Sequence, residues 1–137
     1  MTAQCLYQSN TADLAGMSRQ RKACLRAVRK LQWRLTGELT SDTPPTMPLL
    51  MRPAVKQIIT SAEHEEFNTL LIGDPADLLC EPQELEALLS VLNAHDIHVF
   101  GCQRGQWVEQ NGRHFAPLPS LSWAEDDILL PRKEVVS

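Results

Sequence analysis

The chain of 137 residues is the size of one domain and long enough to bury a hydrophobic core. Its 43% hydrophobic content is ordinary for a globular protein, and no apolar run approaches the roughly 18 residues of a membrane span. A net charge of -4 argues against a dedicated nucleic-acid binder. Without a signal-peptide pattern, the expectation is a cytoplasmic protein with no membrane partner.

Residues 3–7 form a short apolar run, read as a first strand, and 10–15 read as a loop. Ser18 is a candidate N-cap for a helix over 18–36, with Gly37 as its C-cap. On that helix Cys24, Val28, Leu31 and Leu35 share one face. Lys22, Arg26, Arg29 and Lys30 lie opposite, with Trp33 among them. Pro44, Pro45 and Pro48 predict an irregular loop over 36–50. Pro53 opens a second helix running to about residue 65. Residues 69–73 read as a buried strand, and 81–94 as a third helix with Leu85, Leu88, Leu89 and Leu92 on its core face. Residues 97–102 read as another strand, and Asn111-Gly112 within 106–115 signals a hairpin. The proline-containing stretch 117–137 reads as a tail with a short helix from Ser122, leaving 1–116 as the folded domain.

Strands alternating with helices predict a three-layer α/β fold. Its central sheet should be mainly parallel, with helices on both faces and the C-terminal hairpin antiparallel at an edge. The strands near 3–8, 68–73 and 96–102 should be adjacent, central and parallel.

Charge is segregated along the chain. Residues 14–37 carry seven cations (Arg19, Arg21, Lys22, Arg26, Arg29, Lys30, Arg34) and no acid. Residues 57–103 carry nine acids and no Lys or Arg. The first helix is therefore a candidate phosphate-binding face made of Arg19, Lys22, Arg26, Arg29 and Lys30, with Trp33 to stack on a base or pack a partner. The plainer reading is a solvated helix face with Trp33 lying over cationic stems. Asp74 and Asp77 follow a strand end, the usual ligand-binding edge of an α/β sheet. The histidines have no metal-ligand spacing and no glycine-rich phosphate loop is present, so no metal and no cofactor are expected. Cys5, Cys24, Cys80 and Cys102 form no CxxC pair and read as reduced, buried thiols.

Three blocks carry a family likeness. Tyr7-Gln8-Ser9-Asn10-Thr11 precedes Gln20-Arg21-Lys22-Ala23-Cys24. Arg52-Pro53-Ala54-Val55 opens the second helix. Pro75-Ala76-Asp77-Leu78-Leu79-Cys80 precedes Pro82 and Glu84-Leu85. In this order, over about residues 3–105, the chain resembles the catalytic domain of the serine recombinases (resolvases and invertases). That family's blocks read Tyr-x-Arg-x-Ser, Arg-Pro-x-Leu and Leu-Asp-Arg-Leu-x-Arg. Matching Tyr7 puts Ser9 at the arginine position and Thr11 at the nucleophilic serine. Sliding by two residues makes Ser9 the nucleophile but puts Cys5 at the tyrosine. Arg52 matches the phosphate-binding arginine of the second block. In the third block, without gaps, Asp77 and Cys80 replace both arginines. One gap restores the acid as Asp77 but leaves Leu78 and Glu81 at the arginine positions.

The resemblance implies a fold and a reaction, attack of a serine hydroxyl on a DNA phosphodiester to leave a phosphoserine link. Guanidinium groups suit the charge that develops, because they are planar, permanently charged and bidentate. Losing one such donor typically costs about 10²–10³ in rate. The implied protein is a catalytically degraded recombinase-like domain with vestigial Thr11, Ser9, Arg52 and Asp77. It would be a DNA-associated accessory or regulatory protein that contacts a recombinase, another protein or a second copy of itself, and binds DNA weakly and without sequence preference. The alternatives are an active recombinase using Thr11 or Ser9, and an unrelated small α/β interaction module.

Overall fold

A computed structural model of the chain describes residues 1–13 and 15–109, together with the backbone of 114–115. In chain order the elements are β1 (Thr2–Gln8), α1 (Gly16–Leu31), β2 (Arg34–Ser41), α2 (Pro53–Glu63) and β3 (Thr69–Ile72), followed by α3 (Pro82–Asn93), β4 (His98–Gly101), β5 (Gln106–Val108) and β6 (His114–Phe115). Short 3-10 turns lie at Leu49–Met51 and Pro75–Leu78. All six strands form one sheet in the order β2-β1-β3-β4-β5-β6. The first four positions are parallel, and β5 and β6 add antiparallel strands at one edge. The mainly parallel sheet, the central adjacent trio β1, β3 and β4, and the antiparallel edge are those predicted.

Side-chain alternation divides the core into two layers. Ala3, Cys5, Tyr7, Leu71, Phe100, Cys102 and Trp107 face α1, which contributes Ala23, Cys24 and Ala27. Leu6, Leu70, Ile72, Val99 and Val108 face α2 and α3, which contribute Val55, Ile58, Leu88, Leu89 and Leu92. The strand Thr69-Leu70-Leu71-Ile72 is buried along its whole length because both faces are covered. Two of the three helices start on Pro at a first-turn position, where the missing N–H costs nothing. The third also carries a capping box between Glu81 and Glu84. Basic α1 thus lies on one side of the sheet and the acid-rich α3 on the other, which realises the charge segregation of the sequence in space.

The stretch 18–50 departs from expectation. The first helix is not 18–36: it begins at Gly16 with Ala15 as N-cap, so Ser18 lies within the first turn and caps nothing. It ends at Leu31, where Gln32 takes a left-handed conformation at φ 57°. The predicted loop after it begins instead with the edge strand β2, paired to β1 over its full length. Leu35-x-Gly37-x-Leu39, flanked by Thr36 and Thr40, is a strand pattern that a helical wheel misassigns. A register shift opposite Ala3 and Gln4 inserts one extra residue in β2. Leu35 therefore packs in the α1 layer and Leu39 in the other. Gly37 caps no helix; it lies beside Gln4 in the sheet. The Asn111-Gly112 turn and the tail 117–137, with its boundary and predicted helix, lie outside the described residues.

Candidate functional site

The carboxyl ends of β1, β3 and β4 form one edge of the domain, onto which the segments 9–13, 73–79 and 102–105 open. Arg52, just before α2, reaches this edge from within. It is completely buried, the largest side chain among the described residues that are less than 2% exposed. A guanidinium has five N–H donors, and here five contacts engage them. Nε donates to Met47 O at 2.9 Å. Nη1 donates to Gln8 Oε1 at 2.9 Å and Leu78 O at 2.6 Å. Nη2 donates to Pro45 O at 2.9 Å and Leu79 O at 3.0 Å. The acceptors are neutral dipoles rather than carboxylates, and burial holds the group below the ordinary arginine range. Arg52 clips the loop after β2 and the turn after β3 to the end of β1.

Gln8 completes this clip. Its Nε2 donates to Ser9 O and Thr43 O, at 2.8 and 3.0 Å. Its backbone exchanges two hydrogen bonds with the Gln20 side chain, at 2.9 and 3.0 Å, so an amide of α1 continues the pairing pattern beyond the strand. Beyond Gln8, the Ser9 amide donates to Ser41 O. Thr11 is exposed in a turn closed by bonds from the Asp13 and Ala12 amides to Asn10.

Asp77 lies in the 3-10 turn after β3 and takes a two-pronged bond from Arg19 of α1, at 2.6 and 3.3 Å. Asp74 caps the same turn through the Ala76 amide and pairs with Arg104 at 3.2 Å. The fold thus delivers two arginines to an edge whose own sequence block has none. Arg52 is enclosed and shares no exposed surface with Thr11 and Asp77. Among the described residues no hydrogen bond or ion pair directly joins any two of Ser9, Thr11, Arg52 and Asp77. The roles of Gln8 and Gln20 escape a sequence reading, since an amide at a strand end carries no local signature.

The second candidate is α1 itself. Arg19, Lys22, Arg26 and Arg29 recur at intervals of three and four residues and line an open groove of about 600 Å³, which Gln103 also borders. Ten helical residues span about 15 Å. Arg26 is half-buried and reaches Cys102 O at 3.4 Å; Lys22 and Arg29 are exposed. The Gln103 Oε1 is a buried acceptor without a hydrogen-bond partner among the described residues. Lys30 does not line this groove. Trp33 is not on the cationic face at all. It follows the helix and packs edge-on to Phe100, with ring centres 5.2 Å apart, and against Trp107 at 5.8 Å.

The fold is that of serine-recombinase catalytic domains. It matches the N-terminal catalytic domain of TP901-1 integrase with a TM-score of 0.64 at 16% identity, over 74% of this chain and 77% of that one. The C-terminal catalytic domain of ISC1926 TnpA, an IS607-like serine recombinase, gives 0.63 at 12% identity, over 74% and 69% of the two chains. A resolvase family site-specific recombinase from Streptococcus pneumoniae gives 0.64 at 6% identity, over 83% and 75%. No family model matches the sequence, and no curated protein does. No helix among the described residues is long and apolar enough to cross a membrane.

Proposed function

We propose that this domain keeps a recombinase fold without strand-transfer activity and serves as a DNA-associated accessory or regulatory protein. The observation that carries this reading is the saturation of Arg52. With five internal bonds made, its guanidinium has no donor left for a phosphodiester oxygen, and using it would require dismantling the core beneath the site. The other motif positions supply no substitute: Asp77 bears the charge of the wrong sign, Leu78 is apolar and buried, and Cys80 is half-buried. Thr11 offers a hydroxyl, but its extra methyl restricts χ1 and no base is bonded to it among the described residues.

Attachment to DNA falls to α1, whose stripe Arg19-Lys22-Arg26-Arg29 carries the sign of charge that a phosphate backbone attracts. Such binding is weak, independent of sequence and steeply salt-dependent. Contacts to a recombinase, to another protein or to a second copy complete the accessory role.

Two assays test this reading. Incubation with nicked suicide substrates bearing recombination half-sites should yield no covalent protein–DNA adduct. An adduct mapped by mass spectrometry to Thr11 or Ser9 would instead establish an active enzyme. Binding to a random-sequence duplex in low salt should be measurable, and Lys22→Gln with Arg29→Gln should weaken it equally for every sequence. A folded protein that binds no duplex in low salt overturns the DNA-associated part.

A further inference from the structure

One end of the cationic stripe is already occupied. Arg19 begins the series on α1, and its guanidinium is gripped by both carboxylate oxygens of Asp77, at 2.6 and 3.3 Å. This fork-on-fork geometry is the one an arginine adopts on a phosphate. The two partners are unequally placed: the Asp77 side chain is 11% exposed, the Arg19 side chain 43%. The carboxylate is thus held in the fold, while the cation stands at the rim of the groove. Its seat is shaped for it. A Cβ on Gly73 would lie 2.6 Å from Asp77 Oδ2 and 3.3 Å from the Gln20 backbone, so a side chain there would push Asp77 out of this seat. Arg104 and Asp74 make a looser pair on the same edge, through one contact at 3.2 Å with the arginine 70% exposed.

We propose that Asp77 is a built-in phosphate surrogate, which masks Arg19 until a DNA backbone phosphate displaces it. The inference rests on the reading of α1 as a DNA-binding face and adds a device that limits its affinity. A partly exposed ion pair is weak, with a median worth of about 0–1 kcal/mol. A phosphate presented by a duplex already seated on Lys22, Arg26 and Arg29 competes with it at high local concentration.

The test is a double-mutant cycle in DNA affinity across a salt series, using a random-sequence duplex and the whole chain. The variants are Asp77→Asn, Arg19→Gln and the pair together, each checked for folding by circular dichroism and thermal melting. Asp77→Asn should bind roughly three- to tenfold more tightly at low salt. Its plot of log affinity against log salt should keep the wild-type slope, because the same phosphates are neutralised once Asp77 has been displaced. In the Arg19→Gln background the same substitution should leave the affinity unchanged. Asp74→Asn, which removes an equal charge from the same edge, should change affinity by less than about twofold.

An equal gain from Asp77→Asn with and without Arg19 would reduce the effect to net charge and overturn the proposal. Unchanged affinity in Asp77→Asn would overturn it too, while leaving the DNA reading intact. If the wild type does not bind in low salt, the DNA reading itself falls, and the proposal with it.

Discussion

Arg52 and Gln8 meet inside the protein, where Nη1 donates to Oε1 at 2.9 Å beneath the end of β1. The arginine before the helix-opening Pro53 is put to structural use. Removing it strands four carbonyls and one amide oxygen, each costing about 1–3 kcal/mol if left unpaired. Arg52→Ala should therefore lose more than roughly 4 kcal/mol, in the range reserved for disrupted buried networks. Arg52→Lys keeps the charge with three donors and should fall between. Urea unfolding measures both; a loss below about 1 kcal/mol for the alanine variant would show that the clip is dispensable.

Much of the fold was legible because parallel strands covered on both faces leave near-continuous apolar runs. Thr69-Leu70-Leu71-Ile72 is readable as buried for that reason, and Pro82 with Glu81 and Glu84 marks a helix start. The edge strand β2 was not legible. Half its residues face solvent, its leucines fall at intervals that a helical wheel accommodates, and the bulge at Thr36 breaks strict alternation. The error carried Trp33 onto the wrong surface. At the site, sequence order identified Arg52 and Asp77 as notable but said nothing of their partners. Those partners, Gln8 for one and Arg19 for the other, lie 44 and 58 residues away and are joined only by the topology of the sheet.

Glu38 of β2 accepts bonds from Arg21 Nε and the Tyr7 hydroxyl, both at 2.8 Å. Arg21 first and Tyr7 second hold its carboxyl below the ordinary glutamate range. A depressed folded pKa contributes stability that is complete above the unfolded value of about 4.3 and is lost as pH falls through the folded value. Wild type should thus exceed Glu38→Gln in stability at pH 7, and the gap should close on descent below about pH 4. Denaturation series at several pH values check this. A gap that widens in acid would contradict the pairing.

The thiols of Cys5, Cys24 and Cys102 lie fully buried under α1. Hydrogen bonding between Cys5 and Cys24, reinforced by burial, pushes the Cys5 thiol far up, and Cys102 with burial does the same to Cys24. Cys80 is half-buried, and burial raises it as well. Thiolate is the reactive form, so alkylation of the native protein at pH 8 should reach Cys80 first. The other three should react at least about 100-fold more slowly than in urea, because they wait for an opening event. Peptide mapping after timed iodoacetamide exposure reads this directly. Early labelling of Cys5 would mean that α1 is not packed on β1.

Trp33 separates a base-stacking role from a packing role. Its ring meets Phe100 edge-on and Trp107 obliquely, and Phe100 meets Trp107 at 5.1 Å, so three aromatic rings close the end of the layer under α1. Such pairs add about 0.5–1.5 kcal/mol beyond the area they bury. Truncating a half-buried tryptophan in this setting should cost roughly 3 kcal/mol, the low end for buried aromatic residues. Trp33→Ala should also lose near-ultraviolet circular dichroism, which the fixed asymmetry of the cluster generates. Its affinity for duplex DNA, corrected to the folded fraction, should match wild type, whereas Lys22→Gln with Arg29→Gln should weaken binding without destabilising the fold. Base stacking predicts the reverse: Trp33→Ala would lose about 1–3 kcal/mol of affinity for single strands. Affinity lost at constant stability would return Trp33 to the nucleic-acid surface, and stability lost at constant affinity assigns it to the core.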